Sequence, residues 1–288
     1  MANRYIQGTQ FDPDQDIPDL TGKVILVTGA NSGIGRGIIL QLAKHNPAQI
    51  FLAARSEAKA QEAITELEKI SDMQSIDIIP STFHASSNRL DLLINSTSIM
   101  ATPTGQTEEG YEIQFGTNHI GHALLTRLLL PTLKYTATIA PDVRVVFLSS
   151  SLHSSAPKEG YFLDDRLKTP MPDISTWTLY GQSKLANIHY CRALAQRHLE
   201  IKFVSIHPGL VKTNLGPEFM SVCDEIHNSQ CSGRAFNSLW AATSLAAESG
   251  AFYYPVGITG KDEKLREQLW EYTEMELQPH LDYFYVYV

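Results

Sequence analysis

Seven short apolar runs rich in β-branched residues recur along the chain with stretches of helical period between them. This alternation limits the fold more than any other feature. The runs are KVILVTG, QIFLAAR, IDII, LDLLIN, RVVFLSS, KFVSIHPG and AFYYPVG. Between them lie GIGRGIILQLAKH, SEAKAQEAITELEKI, residues 108–133, TLYGQSKLANIHYCRALAQRHL and GRAFNSLWAATSLAAES. Strands that read as continuous apolar runs are covered on both faces, and strands alternating with helices need crossover connections. The expectation is an α/β fold, a doubly wound parallel sheet forming a single domain over residues 1–288. Residues 1–20 read as an N-terminal extension, 156–175 as a surface insertion and 214–235 as a substrate-side segment. Residues 261–277 read as a final charged helix, and the terminal YFYVYV as a β-prone apolar strip.

The formal net charge of -8 argues against nucleic acid or an anionic membrane as the main partner, since both need a basic surface. A small anionic ligand remains compatible, because one pocket can oppose the global sign. The three cysteines, Cys191, Cys223 and Cys231, have neither metal nor redox spacing and are expected to be reduced thiols. No apolar run approaches the roughly 20 residues of a membrane helix, and the first residues are polar. A soluble, cytoplasmic protein with no membrane span is expected.

The first strand runs into Thr28-Gly29-Ala30-Asn31-Ser32-Gly33-Ile34-Gly35, and a helix follows at once. Glycines at Gly29, Gly33 and Gly35 permit a tight turn in which backbone N–H groups and a helix N-terminus approach a pyrophosphate. Asn31, Ser32 and Ile34 complete that turn. The second strand ends in Leu52-Ala53-Ala54-Arg55 without an acid. An acid there would hold the adenosine ribose of NAD, whereas Arg55 suits the 2′-phosphate of NADP(H). A solvated arginine capping a strand is the plainer alternative.

Tyr180 and Lys184 stand at i and i+4 on one helical face. A tyrosine with an ordinary pKa of about 10 works poorly as an acid or base at neutral pH unless a cation stabilises its phenolate. Lys184 could supply it. Alone this spacing carries little, but other polar groups belong to the same sheet edge. Ser149, Ser150 and Ser151 end one strand, Pro208-Gly209 end another with Thr213 beyond, and Asn118 lies on the preceding helix.

Together TGANSGIG, LAAR, NHIGH, FLSSS, YGQSK and HPGLVKT make the chain resemble the short-chain dehydrogenase/reductase family, over essentially its whole length. GKVILVTGANSGIG, SKLAN, YYPVG and the insertion before Tyr180 are most similar to its retinol-dehydrogenase-like and fungal secondary-metabolism branches. The resemblance implies a Rossmann fold and interconversion of a small-molecule carbonyl and an alcohol with NADP(H). It implies Tyr180 as general acid or base, and Lys184 lowering the tyrosine pKa and binding the nicotinamide ribose. Ser150 would hold the substrate oxygen, and Asn118 a water linking Lys184 to solvent. Asn95 would stand beside the adenine-side ribose. Pro208, Gly209, Val211 and Thr213 would fix the carboxamide. A homodimer or homotetramer through the long helices is the corresponding expectation. No metal is expected: His119 and His122, at i and i+3, lack a third ligand at a recognisable spacing and read as packed histidines.

Two departures stand out. The family's Asn-Asn-Ala-Gly is here Asn95-Ser96-Thr97-Ser98, and a serine at the glycine position would cost roughly 1 kcal/mol if φ had to be positive. The connection after IDII contains only Pro80 and STFHASSNR, about three helical turns fewer than the family pattern. A sheet face left exposed or covered by a partner, and weakened adenine contacts, are expected from it. A second reading therefore stays open: a cofactor-impaired scaffold with a non-redox role or a ligand- or partner-binding role.

Overall fold

The apolar runs pair in the computed structural model, which describes residues 11–54, 56–70, 76–78, 87–209, 235–254, 258–259 and 266–284. Strands β1 (Val24–Thr28), β2 (Gln49–Ala53), β3 (Ile76–Ile78), β4 (Leu92–Asn95), β5 (Arg144–Leu148), β6 (Lys202–Ile206) and β7 (Phe252–Tyr254) follow the seven runs. A short β8 (Ile258–Thr259) closes the edge. The order is β3-β2-β1-β4-β5-β6-β7-β8, parallel throughout except the last antiparallel pair. The chain runs outward from β1 to β3, then jumps back over it to β4. That reversal opens a crevice at the C-terminal strand ends between β1 and β4, the place where such sheets bind ligands.

The helices are α1 (Pro13–Asp16), α2 (Gly33–Leu42), α3 (Glu57–Ile70), α4 (Ile113–Phe115), α5 (Gly121–Ile139), α6 (Thr176–Arg197), α7 (Phe236–Thr243) and α8 (Arg266–Phe284). Alternate residues of β1, β2, β4, β5 and β6 feed two cores, as a period of two demands. Leu26, Phe51, Leu93, Val145, Phe147 and Phe203 face α5, α6 and α8. Ile25, Val27, Ile50, Leu52, Ile94, Val146 and Val204 face α2, α3 and α7. Strands β1, β2 and β4 are thus packed on both sides, so the exposed face expected from the short connection is not found on them. Buried Asp91 instead anchors the entry to β4. It accepts from the Val24 N–H at 2.9 Å and from the Arg89 guanidinium, and pairs with Lys23 at 3.2 Å.

Three further expectations change. Ile17 and Leu20 are buried and Phe11 packs edge-on against Phe236, so described residues of the extension seal the end of α7. The insertion sends Tyr161, Leu167 and Met171 into the same core as α8. Tyr283 and Phe284, read as β-prone, finish that helix.

Helix α8 bears directly on assembly. Its Leu269, Tyr272 and Leu277 join the core formed by Leu129, Leu130, Leu133, Tyr190 and Leu194 of the long helices. Trp270 stacks on Tyr190, the Arg197 guanidinium lies 4.1 Å over the Trp270 ring, and Arg127 pairs with Glu274 at 3.0 Å. The helical face expected to meet a second copy is covered by the chain's own α8.

Candidate active site

The turn after β1 has the backbone its sequence requires. Gly29 (φ +65°) and Gly33 (φ +54°) take left-handed conformations that disfavour side chains. A Cβ on Gly35 would sit 2.5 Å from the Gly29 carbonyl oxygen, so that glycine lets α2 start directly against the turn. Ser32 is the N-cap residue of α2 but makes no side-chain cap, and the first turn carries no acid. Backbone N–H groups and the positive end of a ten-residue helix are therefore presented beside exposed Ser32 and Gly33. This cradle fits a pyrophosphate.

The floor of the crevice is the end of β4. Thr28 accepts the Ser96 and Thr97 N–H groups at 2.9 and 3.0 Å, which fixes the chain as it leaves the strand. With its oxygen accepting twice, Thr28 directs its proton to His122 Nε2 at 3.0 Å. His122 Nδ1–H then donates to the Asn118 carbonyl at 3.1 Å. Thr97 lies so close to Gly29 that a Cβ on that glycine would meet the Thr97 Oγ1 at 3.0 Å. Ser98 does not have positive φ, so the serine brings no left-handed strain, contrary to the cost anticipated if it did. Asn95 stands at the strand tip as expected, but its amide donates to Thr126 of α5 at 3.0 Å, away from the crevice.

Asn118 lies in a π turn, Gly116–Ile120, between α4 and α5. Such turns break the regular ladder and often mark functional sites. Its side chain makes four hydrogen bonds. The amide donates to the Ile99 carbonyl at 2.9 Å and Ser183 at 3.0 Å, while its oxygen accepts from the Ile99 N–H at 2.9 Å and Ser98 at 3.3 Å. The Asn118 carbonyl also accepts from Asn187 at 3.0 Å and from His122. Asn118 is thus tied through its side chain to the end of β4 and through its carbonyl to α6 and α5.

Helix α6 brings Tyr180 to Ser150 through a glycine. A Cβ on Gly181 would come within 2.7 Å of the Ser155 carbonyl carbon and the Ala156 nitrogen, and within 2.8 Å of the Leu152 oxygen. The helix can therefore lie directly on the 3-10 turn Ser151–Ser155 that follows β5. Tyr180 is buried, which pushes its phenol up to about 12, with the hydroxyls of Ser150 and Ser98 opposing the rise. Lys184 is fully buried, its pKa is pushed down to about 7 by burial, and its Nζ donates to the Leu148 carbonyl at 3.1 Å. Its Nζ is 5.6 Å from the centre of the Tyr180 ring. Burial is the largest influence on the phenol in this arrangement.

Gly209 (φ +96°) turns the chain after Pro208, and Asn237 ties the end of β6 to β7 through the His207 carbonyl at 2.6 Å and the Tyr253 carbonyl at 3.2 Å. His153 donates from Nδ1 to the Ser150 carbonyl at 2.7 Å and packs edge-on against Phe252, so an aromatic wall stands beside Ser150. His119 spans Asn187 at 3.3 Å and Thr273 at 3.0 Å, and no metal-binding cluster occurs among the described residues. Arg55, Val211, Thr213 and most of 214–235 lie outside the described residues. Sequence reasoning missed the packing of Gly181 and the hydrogen bonds of Ser183, Asn187 and Ser98 to Asn118. Only Gly181 carried a signal, since a glycine inside a helix costs about 1 kcal/mol relative to alanine and calls for a reason.

An open parallel sheet with a phosphate cradle at its reversal and a buried Ser–Tyr–Lys group beyond it defines a dinucleotide-dependent oxidoreductase class. Residues 23–160 match the family model for short chain dehydrogenase. An uncharacterised oxidoreductase of Schizosaccharomyces pombe is 37% identical over 90% of this chain and 86% of its own. A short-chain dehydrogenase/reductase of Armillaria gallica is 34% identical over 92% and 93%, and human retinol dehydrogenase 14 is 35% identical over 68% and 63%. Among solved structures, an uncharacterised Mycobacterium paratuberculosis protein superposes with a TM-score of 0.73 at 26% identity, covering 94% of this chain and 98% of that one. The chain belongs to the short-chain dehydrogenase/reductase family, whose members are nicotinamide-dependent oxidoreductases acting on small molecules.

Proposed function

We propose that the protein interconverts a carbonyl and an alcohol with NADP(H), using Tyr180 as general acid in reduction and general base in oxidation. The observation that carries this reading is that α6 lies directly on the turn Ser150 caps, which sets buried Tyr180 and, one helical turn on, buried Lys184 at the C-terminal edge of the sheet. The nicotinamide supplies or takes the hydride when bound. The turn from Gly29 to Gly35 receives its pyrophosphate, and Pro208, Gly209, Val211 and Thr213 hold its carboxamide. Ser150 holds the substrate oxygen. With a pKa near 12, Tyr180 keeps its proton at neutral pH and is in the form that donates to an oxygen gaining charge. Lys184 and the serine hydroxyls stabilise the phenolate left behind. The absence of an acid at the tip of β2, with Arg55 next in sequence, favours NADP(H).

The test is a fluorescence titration with NADPH and NADH, on the natural protein and on Arg55→Ala. Tighter binding of NADPH is expected, weakened roughly ten- to hundredfold by Arg55→Ala, the worth of a hydrogen bond to a charged group. An unchanged affinity sinks the NADP(H) assignment. In a subsequent carbonyl screen Tyr180→Phe should bind cofactor normally and lose turnover. Turnover that survives the change removes Tyr180 from the mechanism.

A further inference from the structure

The turn that leads the chain away from β5 and Ser150 is held from two sides. On one side α6, which carries Tyr180, lies directly on it through Gly181. On the other stands His153. Its Nδ1 lies 2.7 Å from the Ser150 carbonyl oxygen, and its own backbone N–H donates to the same oxygen at 3.1 Å. A carbonyl oxygen only accepts, so Nδ1 carries the proton, and one residue fills both lone pairs of that oxygen. The His153 ring stands edge-on to Phe252 at 5.2 Å and tilted to Tyr254 at 6.3 Å, alternate residues on one face of β7. Phe252 is buried, which gives the imidazole a firm backing.

What this clamp fixes is the direction of a hydroxyl. Ser150 is the N-cap of the turn, and its Oγ accepts the Leu152 N–H at 3.2 Å. That bond takes one lone pair and leaves the Ser150 proton to donate elsewhere. It lasts only while the Leu152 amide faces back toward Ser150, which the closure of the turn from Ser150 to His153 ensures. The strand side is fixed independently. The Ser149 N–H donates to the Ile206 carbonyl at 2.7 Å, and the Ser149 hydroxyl donates to the Lys184 carbonyl at 2.7 Å. Beyond Ser149, the His153 imidazole supplies the side-chain hydrogen bond that holds the Ser150 peptide.

We propose that His153 is a positioning residue for Ser150: its imidazole clamps the Ser150 carbonyl to the aromatic pair of β7 and so fixes the place of the Ser150 hydroxyl. The imidazole keeps its Nδ1 proton throughout and takes no part in proton transfer. The inference rests on the reading of Ser150 as the group that holds the substrate oxygen, and it makes β7 the support of that group.

The experiment measures NADPH-dependent reduction of phenanthrenequinone, or of the carbonyl that reacts fastest in the screen. It compares the natural chain with His153→Phe, His153→Asn, Ser150→Ala and the double variant of His153→Phe with Ser150→Ala. Phenylalanine keeps a ring against β7 but has no donor, whereas asparagine carries an N–H as many bonds from the backbone as Nδ1 but has no ring. His153→Phe should lower kcat about tenfold, the worth of one hydrogen bond, and leave NADPH affinity unchanged. His153→Asn should recover most of the loss. Because His153 acts through Ser150, adding His153→Phe to Ser150→Ala should cost less than about twofold more. Full activity in His153→Phe, an equal loss in both backgrounds, or an asparagine that recovers nothing overturns the proposal. His153→Gln, whose amide lies one bond further out, replaces His153→Phe should that variant not fold. Failure of the broader reading looks different: Ser150→Ala would turn over normally, or the natural chain would bind NADPH and reduce no carbonyl. Either result removes the role of Ser150 and the positioning role of His153 with it.

Discussion

Replacing Gly181 by alanine sets two physical effects of opposite sign against each other. In a helix interior alanine is favoured over glycine by about 1 kcal/mol, so propensity alone predicts a more stable protein. The structure predicts the reverse. The added Cβ would meet three backbone atoms of the Leu152–Ala156 segment at 2.7 to 2.8 Å, where ordinary contacts begin near 3.4 Å, and backbone cannot swing aside as a side-chain tip can. Overpacking of this kind costs about 1 to 3 kcal/mol. Taking about 2 and subtracting the helical gain leaves a net loss of about 1 kcal/mol, or about 3 °C in Tm for a chain of this size. The displacement also parts Tyr180 from Ser150, and a misplacement of about 1 Å can lower turnover a hundredfold. Gly121 is the control. It is exposed, and an added Cβ meets only the Gly116 oxygen at 3.5 Å, so Gly121→Ala should gain up to about 1 kcal/mol without loss of activity. Urea melts and initial rates on both variants decide the matter. A Gly181→Ala protein that is more stable and fully active refutes the close-packing argument.

Stability should fall as the medium becomes mildly acidic. Burial holds His119 at about 4 and His122 at about 3, with the Lys184 charge adding to the effect on His122, whereas both titrate near 6.5 in the unfolded chain. Between those values the unfolded state binds protons the native state refuses, so each histidine removes about 1.4 kcal/mol per pH unit, or about 2 kcal/mol by pH 5. Urea midpoints at neutral pH and at about pH 5 should differ accordingly. His207, held at about 4 by burial, adds a similar amount, so His122→Gln should remove about a third of that dependence, and a flat profile contradicts the buried neutral histidines. Light scattering coupled to gel filtration should give the 32.0 kDa monomer, because α8 covers α5 and α6; a dimer that crosslinks through those two helices would show the covering to be wrong.

The sheet was legible because buried parallel strands advertise themselves. A β-branched run such as RVVFL has no other economical use between two helices, and all seven runs formed strands. β8 was not legible, since two residues carry no period. The site was readable where chemistry needs a particular side chain at a fixed spacing, as at Tyr180 and Lys184, and where a turn needs glycine, as at Gly29 and Gly33. It was unreadable where function depends on which of several partners a common group chooses. Asn118 bonds Ile99, Ser98 and Ser183 through its side chain and Asn187 and His122 through its carbonyl, and none of these partners announces itself in sequence. Covering of the long helices was hidden for a related reason: among the described residues, the charged stretch that became α8 buries only Leu269, Tyr272, Thr273 and Leu277 to below a tenth of their surface, among many polar neighbours.

The rewritten end of β4 ties these lines together. Read as a motif, Asn95-Ser96-Thr97-Ser98 suggested damage, and damage motivated a cofactor-impaired scaffold. Read as structure, Ser96 and Thr97 hang their N–H groups on Thr28, Asn95 braces α5, and Ser98 adopts no strained backbone. The substitution that looked most harmful, serine for glycine, adds a hydroxyl that donates to Asn118 at 3.3 Å. The departure that motivated a cofactor-impaired scaffold thus leaves the end of β4 braced and free of left-handed strain.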